Sequence, residues 1–256
     1  MPEFCTISEH GGVTIITINR PEVMNALHPP ANFELAAAVQ DFEANNSARV
    51  AIVTGAGERA FSAGNDLKYA AAGNKLEIPE SGFGGLTRNF TREKPVIAAV
   101  NGVALGGGFE IALACDLIIA SENATFGLPE PRVGLAALAG GLQRLPRQIG
   151  AKNALGMILT GRYVSAAEGK ALGFVNAVVE PGRAVAVALE WAATIAANSP
   201  QSIRTSLDVV KRSLDIASLE ESVNMQYNSV AALRTGPDAI EGPRAFAEKR
   251  KPKWAS

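Results

Sequence analysis

This 256-residue chain contains few cysteines and histidines, and its positive and negative charges nearly balance. The two cysteines, Cys5 and Cys115, lie far apart, and Cys115 falls in an apolar segment. This favours reduced packing residues over a disulfide framework and predicts a cytoplasmic setting. The chain has only two histidines, His10 and His28, and no Gly-x-Ser-x-Gly segment, so it lacks the residues that a Ser–His hydrolase needs. A metal site has equally little support, so we predict none.

The formal net charge is −1, so the chain has no overall basic field to hold a polyanion, and we expect no nucleic acid partner. Long apolar runs are missing as well. Residues 95–109 are uncharged, but Glu110 ends that run before the roughly 20 apolar residues that a membrane-spanning helix needs. We therefore predict no transmembrane segment and no membrane partner.

Apolar residues make up 47% of the chain, enough for a sizeable core in one large domain or in one domain with an appendage. Their spacing predicts a β-hairpin over residues 4–19 and a helix over residues 32–45 that buries Phe33, Leu35, Val39 and Phe42. Further strands are predicted at residues 50–54, 95–100, 117–120 and 175–179. Residues 70–85 show no firm period and lead into a predicted helix near residues 86–92.

Helical patterns dominate from residue 151 onward, at residues 152–159, 166–172, 184–197, 201–217, 219–233 and 237–250. The order of elements predicts an α/β core through about residue 180, followed by a helical C-terminal part. No sequence repeat of fixed period is visible, although strand–turn–helix units recur at irregular spacing.

Three consecutive glycines, Gly106 to Gly108, interrupt the stretch NGVALGGGFEIALACD at residues 101–116. Between a predicted strand and a predicted helix, they fit a tight turn whose backbone N–H groups a ligand can approach closely. Glu110 then lies in the first helical turn, where the helix dipole lowers its pKa and apolar neighbours raise it. The sequence leaves that balance open. It also leaves open that the glycines only permit close packing and that Glu110 only starts a helix.

Three loops follow the carboxyl ends of predicted parallel strands, at residues 55–66, 103–108 and 121–130. Right-handed connections put such loops on one edge of the sheet. Two of the loops carry glycine-rich backbone at helix starts, and two of them lead to carboxylates, Glu110 and Glu130. Donor loops that face paired carboxylates predict a site that holds an oxyanion and moves protons.

Five segments match one known family in order and spacing: RPEVMNAL (20–27), AFSAGNDLK (60–68), KPVIAAVNGVALGGGFEIALACD (94–116), ATFGLPEPRVGL (124–135) and GGLQRLPRQIG (140–150). Over nearly its full length the chain resembles the crotonase, or enoyl-CoA hydratase/isomerase, superfamily. The resemblance implies an α/β spiral of strand–strand–helix units with the catalytic site in residues 1–195. It also implies a helical region at residues 196–256 that serves oligomerisation, as a homotrimer or a dimer of trimers, and covers coenzyme A.

The same resemblance implies that an acyl-CoA thioester is the substrate and that no separate cofactor is used. In the family, two backbone N–H groups bind the thioester oxygen, and on this chain they belong to Asn65 and Gly107. Family hydratases hold a water between two glutamates that match Glu110 and Glu130, whereas family isomerases generally need only the position of Glu130. Because both glutamates are present, the resemblance favours an enoyl-CoA hydratase in which Glu110 positions the water and Glu130 protonates Cα.

The resemblance implies coenzyme A contacts for seven residues: Val23, Ala26, Ala63, Asp66, Leu67, Phe246 and Lys249. In the family, the positions of Phe246 and Lys249 often meet the site of a neighbouring subunit. Two departures from the family pattern concern the acyl pocket. Asn65 stands where common hydratases carry a small residue, and residues 135–139 lack the family's frequent proline.

The motifs do not point to a simple enoyl-CoA hydratase alone. GFGGLT (82–87) and DAIEGPRAFAEKR (238–250) resemble the carnitinyl-CoA dehydratase branch, whose substrate bears a trimethylammonium group. Aromatic side chains favour such a group, and Tyr69, Phe83 and Phe90 are available. The motifs are also compatible with an enoyl-CoA isomerase and with a non-catalytic acyl-CoA-binding or RNA-binding relative. The intact glutamates disfavour a binding-only role, and the slightly negative net charge disfavours RNA.

Overall fold

Ten strands form two sheets within residues 3–255, the part of the chain that the computed structural model describes. The larger sheet has six strands, antiparallel only at the opening hairpin and parallel elsewhere. In chain order the strands are β1 Cys5–His10, β2 Val13–Ile18, β3 Val50–Gly55, β4 Ala60–Ser62, β5 Val96–Val100, β6 Val103–Leu105, β7 Leu117–Ser121, β8 Thr125–Gly127, β9 Val164–Ser165 and β10 Ala177–Val179. The order in the larger sheet is β1-β2-β3-β5-β7-β10.

The smaller sheet has the order β4-β6-β8-β9, with β4, β6 and β8 parallel and β9 antiparallel to β8. Each of its first three strands comes next in the chain after a strand of the larger sheet. The chain thus repeats a unit made of a strand in the larger sheet, a strand in the smaller sheet and a helix. This order confirms the predicted α/β spiral of strand–strand–helix units. The sequence did not predict the short strands, because three residues are too few to show a period.

Eleven α-helices lie in the described chain, and residues 21–23, 83–85 and 130–133 form 3-10 turns. The helices are α1 Pro29–Ala44, α2 Leu67–Ala71, α3 Gly107–Ala114, α4 Gly141–Ile149, α5 Ala151–Thr160, α6 Ala166–Leu172, α7 Ala184–Ala196, α8 Pro200–Ser213, α9 Leu219–Asn224, α10 Asn228–Thr235 and α11 Asp238–Ala247. None of them, within residues 3–255, combines the length and apolarity needed to cross a bilayer. The larger sheet is buried on both faces, against α1 and α3 on one side and α7 on the other.

Two predicted helices differ from the structure. No helix forms near residues 86–92. The 3-10 turn at residues 83–85 precedes this segment, and residues 86–92 form irregular turns, because Gly84 and Gly85 adopt φ angles of 61° and 72°, which do not lead into a helix. The helix predicted over residues 219–233 is two helices, α9 and α10. The chain is extended at Met225 between them, and the Tyr227 hydroxyl donates to the Ser222 carbonyl across the break.

The buried face of α1 also differs from the prediction. Leu35, Val39 and Phe42 are buried as predicted, but Phe33 is 48% exposed and Asn32 is buried. The Asn32 side chain accepts a hydrogen bond from the Gly84 N–H (2.8 Å) and donates to the His28 carbonyl (3.3 Å). A hydrogen-bonded amide tolerates burial. Polar contacts with the residue 82–90 segment therefore help to set the orientation of this helix.

Candidate active site

The loop after β4 is fixed against Leu27. The Leu27 N–H donates to the Gly64 carbonyl (2.8 Å), and the Asp66 N–H donates to the Leu27 carbonyl (3.1 Å). The Gly64 N–H donates to Ser62 Oγ (3.1 Å). These bonds hold Asn65 in a single parallel bridge with Leu27 and leave its own N–H without a backbone partner in the described chain.

The glycine triplet begins α3 directly beside this loop. Gly106 has φ 52° and ψ −126°, a conformation that favours glycine, and Gly107 is the first residue of the helix. A Cβ atom on Gly64 would lie 2.7 Å from the Gly107 nitrogen, so the two loops are in contact. Neither the Asn65 N–H nor the Gly107 N–H donates a hydrogen bond to an atom of residues 3–255. The structure therefore places two unpaired backbone donors next to each other.

Close packing also requires glycine at the second and third positions of the triplet, Gly107 and Gly108. A Cβ on Gly107 would lie 2.5 Å from the ring of Phe83, and a Cβ on Gly108 would lie 2.0 Å from the Ser62 carbonyl oxygen. The packing role that the sequence left open is therefore present, and the free Gly107 N–H is compatible with ligand binding. The triplet permits close packing of three chain segments and also leaves a backbone donor free at the start of α3.

Glu110 lies in the first turn of α3 and is only 3% exposed. Its Oε1 accepts a hydrogen bond from the Gly141 N–H at the start of α4 (2.8 Å). Burial raises the pKa of Glu110 to about 7; the Gly141 N–H opposes the shift and the charge of Glu130 adds to it. Desolvation therefore prevails over the groups that stabilise the carboxylate, which resolves the balance that the sequence left open.

Glu130 reaches the same glycine turn from another element. It begins the 3-10 turn Glu130–Val133 after β8, and a Cβ on Gly106 would lie 3.1 Å from its Oε1. Burial raises the pKa of this carboxyl too, and its Oε2 is buried without a hydrogen-bond partner in the described chain. The structure thus brings the carboxyls of Glu110 and Glu130 together beside the two free N–H donors.

A sequence model described as enoyl-CoA hydratase/isomerase matches residues 8–256. The chain belongs to the enoyl-CoA hydratase/isomerase family. One relative, named carnitinyl-CoA dehydratase and found in Salmonella arizonae, is 41% identical over 99% of both chains. Another, named mevalonyl-coenzyme A hydratase and found in Aspergillus fumigatus, is 42% identical over 94% of this chain and 91% of the relative. The crystal structure of an enoyl-CoA hydratase from Mycobacterium tuberculosis matches with a TM-score of 0.93 and 38% identity, covering 100% of this chain and 99% of that one.

In this member of the hydratase/isomerase family, five of the positions predicted to bind coenzyme A cluster around the Asn65 loop: Val23, Ala26, Ala63, Asp66 and Leu67. The Ala63 N–H donates to the Met24 carbonyl (2.9 Å). Asp66 caps α2 and forms an ion pair with Arg20 (3.0 Å), whose guanidinium also donates to the Ala26 carbonyl (2.5 Å). Arg20 therefore joins the two segments. Sequence reasoning did not assign it a role, although it opens the RPEVMNAL segment.

Phe246 and Lys249, the other two predicted coenzyme A positions, are not brought to this cluster within the single chain. Phe246 lies near the end of α11 and is 87% exposed, and Lys249 follows the helix with a φ of 53°. Within residues 3–255, neither side chain makes a hydrogen bond or an ion pair with the loops around Glu110 and Glu130.

The sequence reasoning missed the Gly141 N–H that binds Glu110. The only signal for it was the GGLQRLPRQIG segment, which matched the family but had no role assigned to its first helical turn. The described residues contain no group of three His, Cys, Asp or Glu side chains placed to hold a metal ion.

The buried Glu110 gives a prediction for stability. Its pKa is about 7 in the folded protein against an ordinary 4.5, so between these values the folded state binds the proton more tightly and the free energy of unfolding falls as the pH rises. Glu110→Gln removes this effect. We expect the variant to be more stable than the wild type at about pH 8, by on the order of 3 kcal/mol, with no gain from this source at about pH 4.

Urea unfolding at both pH values, read by circular dichroism, measures the difference. Glu122→Gln, which changes an exposed carboxylate, is the matched control and should show no such dependence. An equal effect of Glu110→Gln at the two pH values would contradict the assigned pKa.

Proposed function

We propose that this protein is an enoyl-CoA hydratase, which reversibly adds water across the double bond of a trans-2-enoyl-CoA thioester. The observation that carries the proposal is a pair of carboxyls beside two unpaired backbone N–H donors: Glu110 is buried, and Glu130 is half-buried with its Oε2 shielded from solvent. The names of the relatives, which include hydratases and a dehydratase, support the same class of reaction.

In this mechanism the thioester oxygen accepts hydrogen bonds from the N–H groups of Asn65 and Gly107. Attack on Cβ shifts negative charge onto that oxygen, and fixed donors stabilise the charge without having to reorient. One such donor is typically worth about 10² to 10³ in rate. The contact between Gly64 and Gly107 supports the donor role because it brings the two loops together, and neither N–H donates a hydrogen bond within the described chain.

The two carboxyls share the proton transfers. As the water oxygen bonds to Cβ, Glu110 accepts one of its protons, and Glu130 gives a proton to Cα, so the thioester gains one molecule of water. The reacting form therefore has Glu110 ionised and Glu130 protonated, and proton exchange through the next water restores it. A pair that must hold one proton predicts a bell-shaped dependence of the rate on pH, governed by the apparent pKa values of the pair.

Coenzyme A binding and assembly belong to the same proposal. Val23, Ala26, Ala63, Asp66 and Leu67 would contact the coenzyme A portion of the substrate, which is the reactant, and no further cofactor is required. The exposed Phe246 supports a homotrimer or a dimer of trimers, in which Phe246 and Lys249 meet the site of a neighbouring subunit. The two thiols, free and buried, support a reducing cytoplasmic setting.

Carnitinyl-CoA dehydratase is the second candidate, favoured by the Salmonella arizonae relative that aligns over 99% of both chains. The aromatic residues considered for its trimethylammonium group already have partners. Phe83 packs on Gly107, Phe90 lies under the guanidinium of Arg144, and Tyr69 meets the edge of His28. These contacts give no specific support to an aromatic cage, so hydration of a simple enoyl group is the main proposal.

The test is the initial rate at which crotonyl-CoA loses its conjugated-thioester absorbance. We expect rapid loss with water as the only co-reactant. No loss with crotonyl-CoA but turnover of crotonobetainyl-CoA would favour the carnitinyl branch. A shift of the double bond in a 3-enoyl-CoA without hydration would identify an isomerase. Tight binding of acyl-CoA, or salt-dependent retention of RNA, without turnover of any thioester would identify a binding-only relative.

A further inference from the structure

Arg144, on α4, is a half-buried cation that pairs with no carboxylate within residues 3–255. Its Nη2 instead donates to the Thr87 carbonyl (2.8 Å), and its guanidinium carbon lies 5.5 Å from the centre of the Phe90 ring. The side chain passes over Gly140, where a Cβ would lie 2.1 Å from Nη1. Gly140 has φ 107°, a conformation that favours glycine.

The Thr87 contact leads to the donor glycine. Thr87 Oγ1 accepts a hydrogen bond from the Phe83 N–H (2.8 Å), which fixes the turn that carries Phe83. The Phe83 ring in turn lies against Gly107, within 2.5 Å of where a Cβ would stand. The guanidinium is thus connected, through Thr87 and Phe83, to the residue whose free N–H begins α3.

The helix that carries Arg144 also contacts the catalytic carboxyl. One helical turn earlier, the Gly141 N–H donates to Glu110. The charge of Arg144 lowers the pKa of Glu110, against burial and the charge of Glu130, which raise it. Besides Glu110, the ionisable groups that affect Arg144 are Arg92, Arg147 and the thiol of Cys115. The charge of Arg144 therefore acts directly on the Glu110 carboxyl.

We propose that Arg144 is a positioning residue of the hydratase site: it joins the residue 82–90 segment to α4 and so sets Phe83 against Gly107, whose free N–H begins α3. The inference rests on the proposed function. Arg144 does not touch the reacting atoms. Its loss should therefore lower kcat, through misplaced donors and a more protonated carboxyl pair, with little change in the apparent affinity for coenzyme A thioesters.

The test compares Arg144→Met and Arg144→Lys with Arg147→Met, which removes an exposed charge from the same helix and a hydrogen bond to the Gln143 carbonyl. Kinetics with crotonyl-CoA across pH should show kcat lowered about 10- to 100-fold in Arg144→Met, in line with a mispositioned site. KM should stay within about threefold, and the bell-shaped profile should move upward by roughly half a pH unit. Arg144→Lys should restore the profile but only part of kcat, and Arg147→Met should match the wild type.

Two results would overturn the inference. One is an Arg144→Met variant that behaves like Arg147→Met. The other is an equal fall in kcat for Arg144→Met and Arg144→Lys with an unmoved pH profile, which a purely structural role would produce. If Arg144→Met does not fold, as judged by thermal unfolding, Arg144→Lys is compared with the wild type instead. A lower kcat with an unchanged pH profile then supports the inference, and a wild-type kcat overturns it.

A second readout separates this inference from the proposed function. Carbon-13 labelling of glutamate side chains, with Glu110→Gln used for assignment, follows the titration of Glu110 directly in the absence of substrate. We expect its pKa to rise in Arg144→Met and to stay unchanged in Arg147→Met. If the wild type turns over no enoyl thioester, the proposed function fails, whereas an unmoved Glu110 titration in Arg144→Met overturns the role of Arg144.

Discussion

Glu130→Gln is expected to lower kcat for crotonyl-CoA hydration by about 10² to 10⁴, and Glu110→Gln by a similar factor, because each removes one of the two proton transfers. Glutamine keeps the size of the side chain, and at residue 110 it can still accept the Gly141 hydrogen bond. Binding of the coenzyme A thioester should change little. Steady-state kinetics measures the first quantity, and calorimetry with a non-reactive acyl-CoA measures the second.

Glu122→Gln is the control for this pair, since Glu122 is exposed on the connection between β7 and β8 and has no role in the mechanism. It should turn over substrate at the wild-type rate. Near-wild-type turnover in either Glu110→Gln or Glu130→Gln would remove that residue from the mechanism. The double variant should be little worse than the worse single variant, because residues that act as one unit are not additive.

Gly64→Ala is expected to lower kcat/KM by about 10² or more, comparable to the loss of one oxyanion donor. The added Cβ would lie 2.7 Å from both the Gly107 nitrogen and the Leu105 carbonyl oxygen, which are backbone atoms that cannot rotate away. The two loops must therefore separate, and the Asn65 and Gly107 N–H groups no longer converge on one oxygen.

Gly73→Ala is the matched control. Gly73 has φ 85°, close to the 87° of Gly64, but no atom lies within 4 Å of its added Cβ. The two variants share the cost of a left-handed alanine and differ in the collision at the site. Unfolding measurements give the shared cost, and kinetics gives the difference. An equal loss of kcat/KM in both would show that the Gly64 contact does not govern the donors.

The sequence was a good guide to the site where local chemistry dictates structure. A glycine triplet followed by Glu110 predicts a strand-to-helix turn, and Gly106 and Gly107 form one in the structure, with a short strand, β6, just before it. That strand, like β4 and β8, could not be predicted because its pairing depends on residues far along the chain. The same limit applied to Phe33, whose exposure accompanies the burial of Asn32, where the side chain accepts a hydrogen bond from the distant Gly84 N–H.

Electrostatic properties were less accessible from sequence. The dipole of α3 and the apolar neighbours of Glu110 act in opposite directions, and only the extent of burial shows that desolvation is the larger effect. Arg144 illustrates a second limit. An arginine on an amphipathic helix looks like an ordinary solvated charge, and its relation to Phe83 and Glu110 appears only when the residue 82–90 segment is folded against α4.

The distances along the chain between the parts of the site have a consequence for folding kinetics. The site residues Leu27, Asn65, Gly107, Glu130 and Gly141 come from segments that are separated by roughly 10 to 40 residues, and they meet only after the parallel strands of both sheets are paired. Contacts of this kind carry large loop-closure entropies and form slowly. After dilution from denaturant, helical structure should therefore return first, and the capacity to turn over substrate should return in the slowest phase.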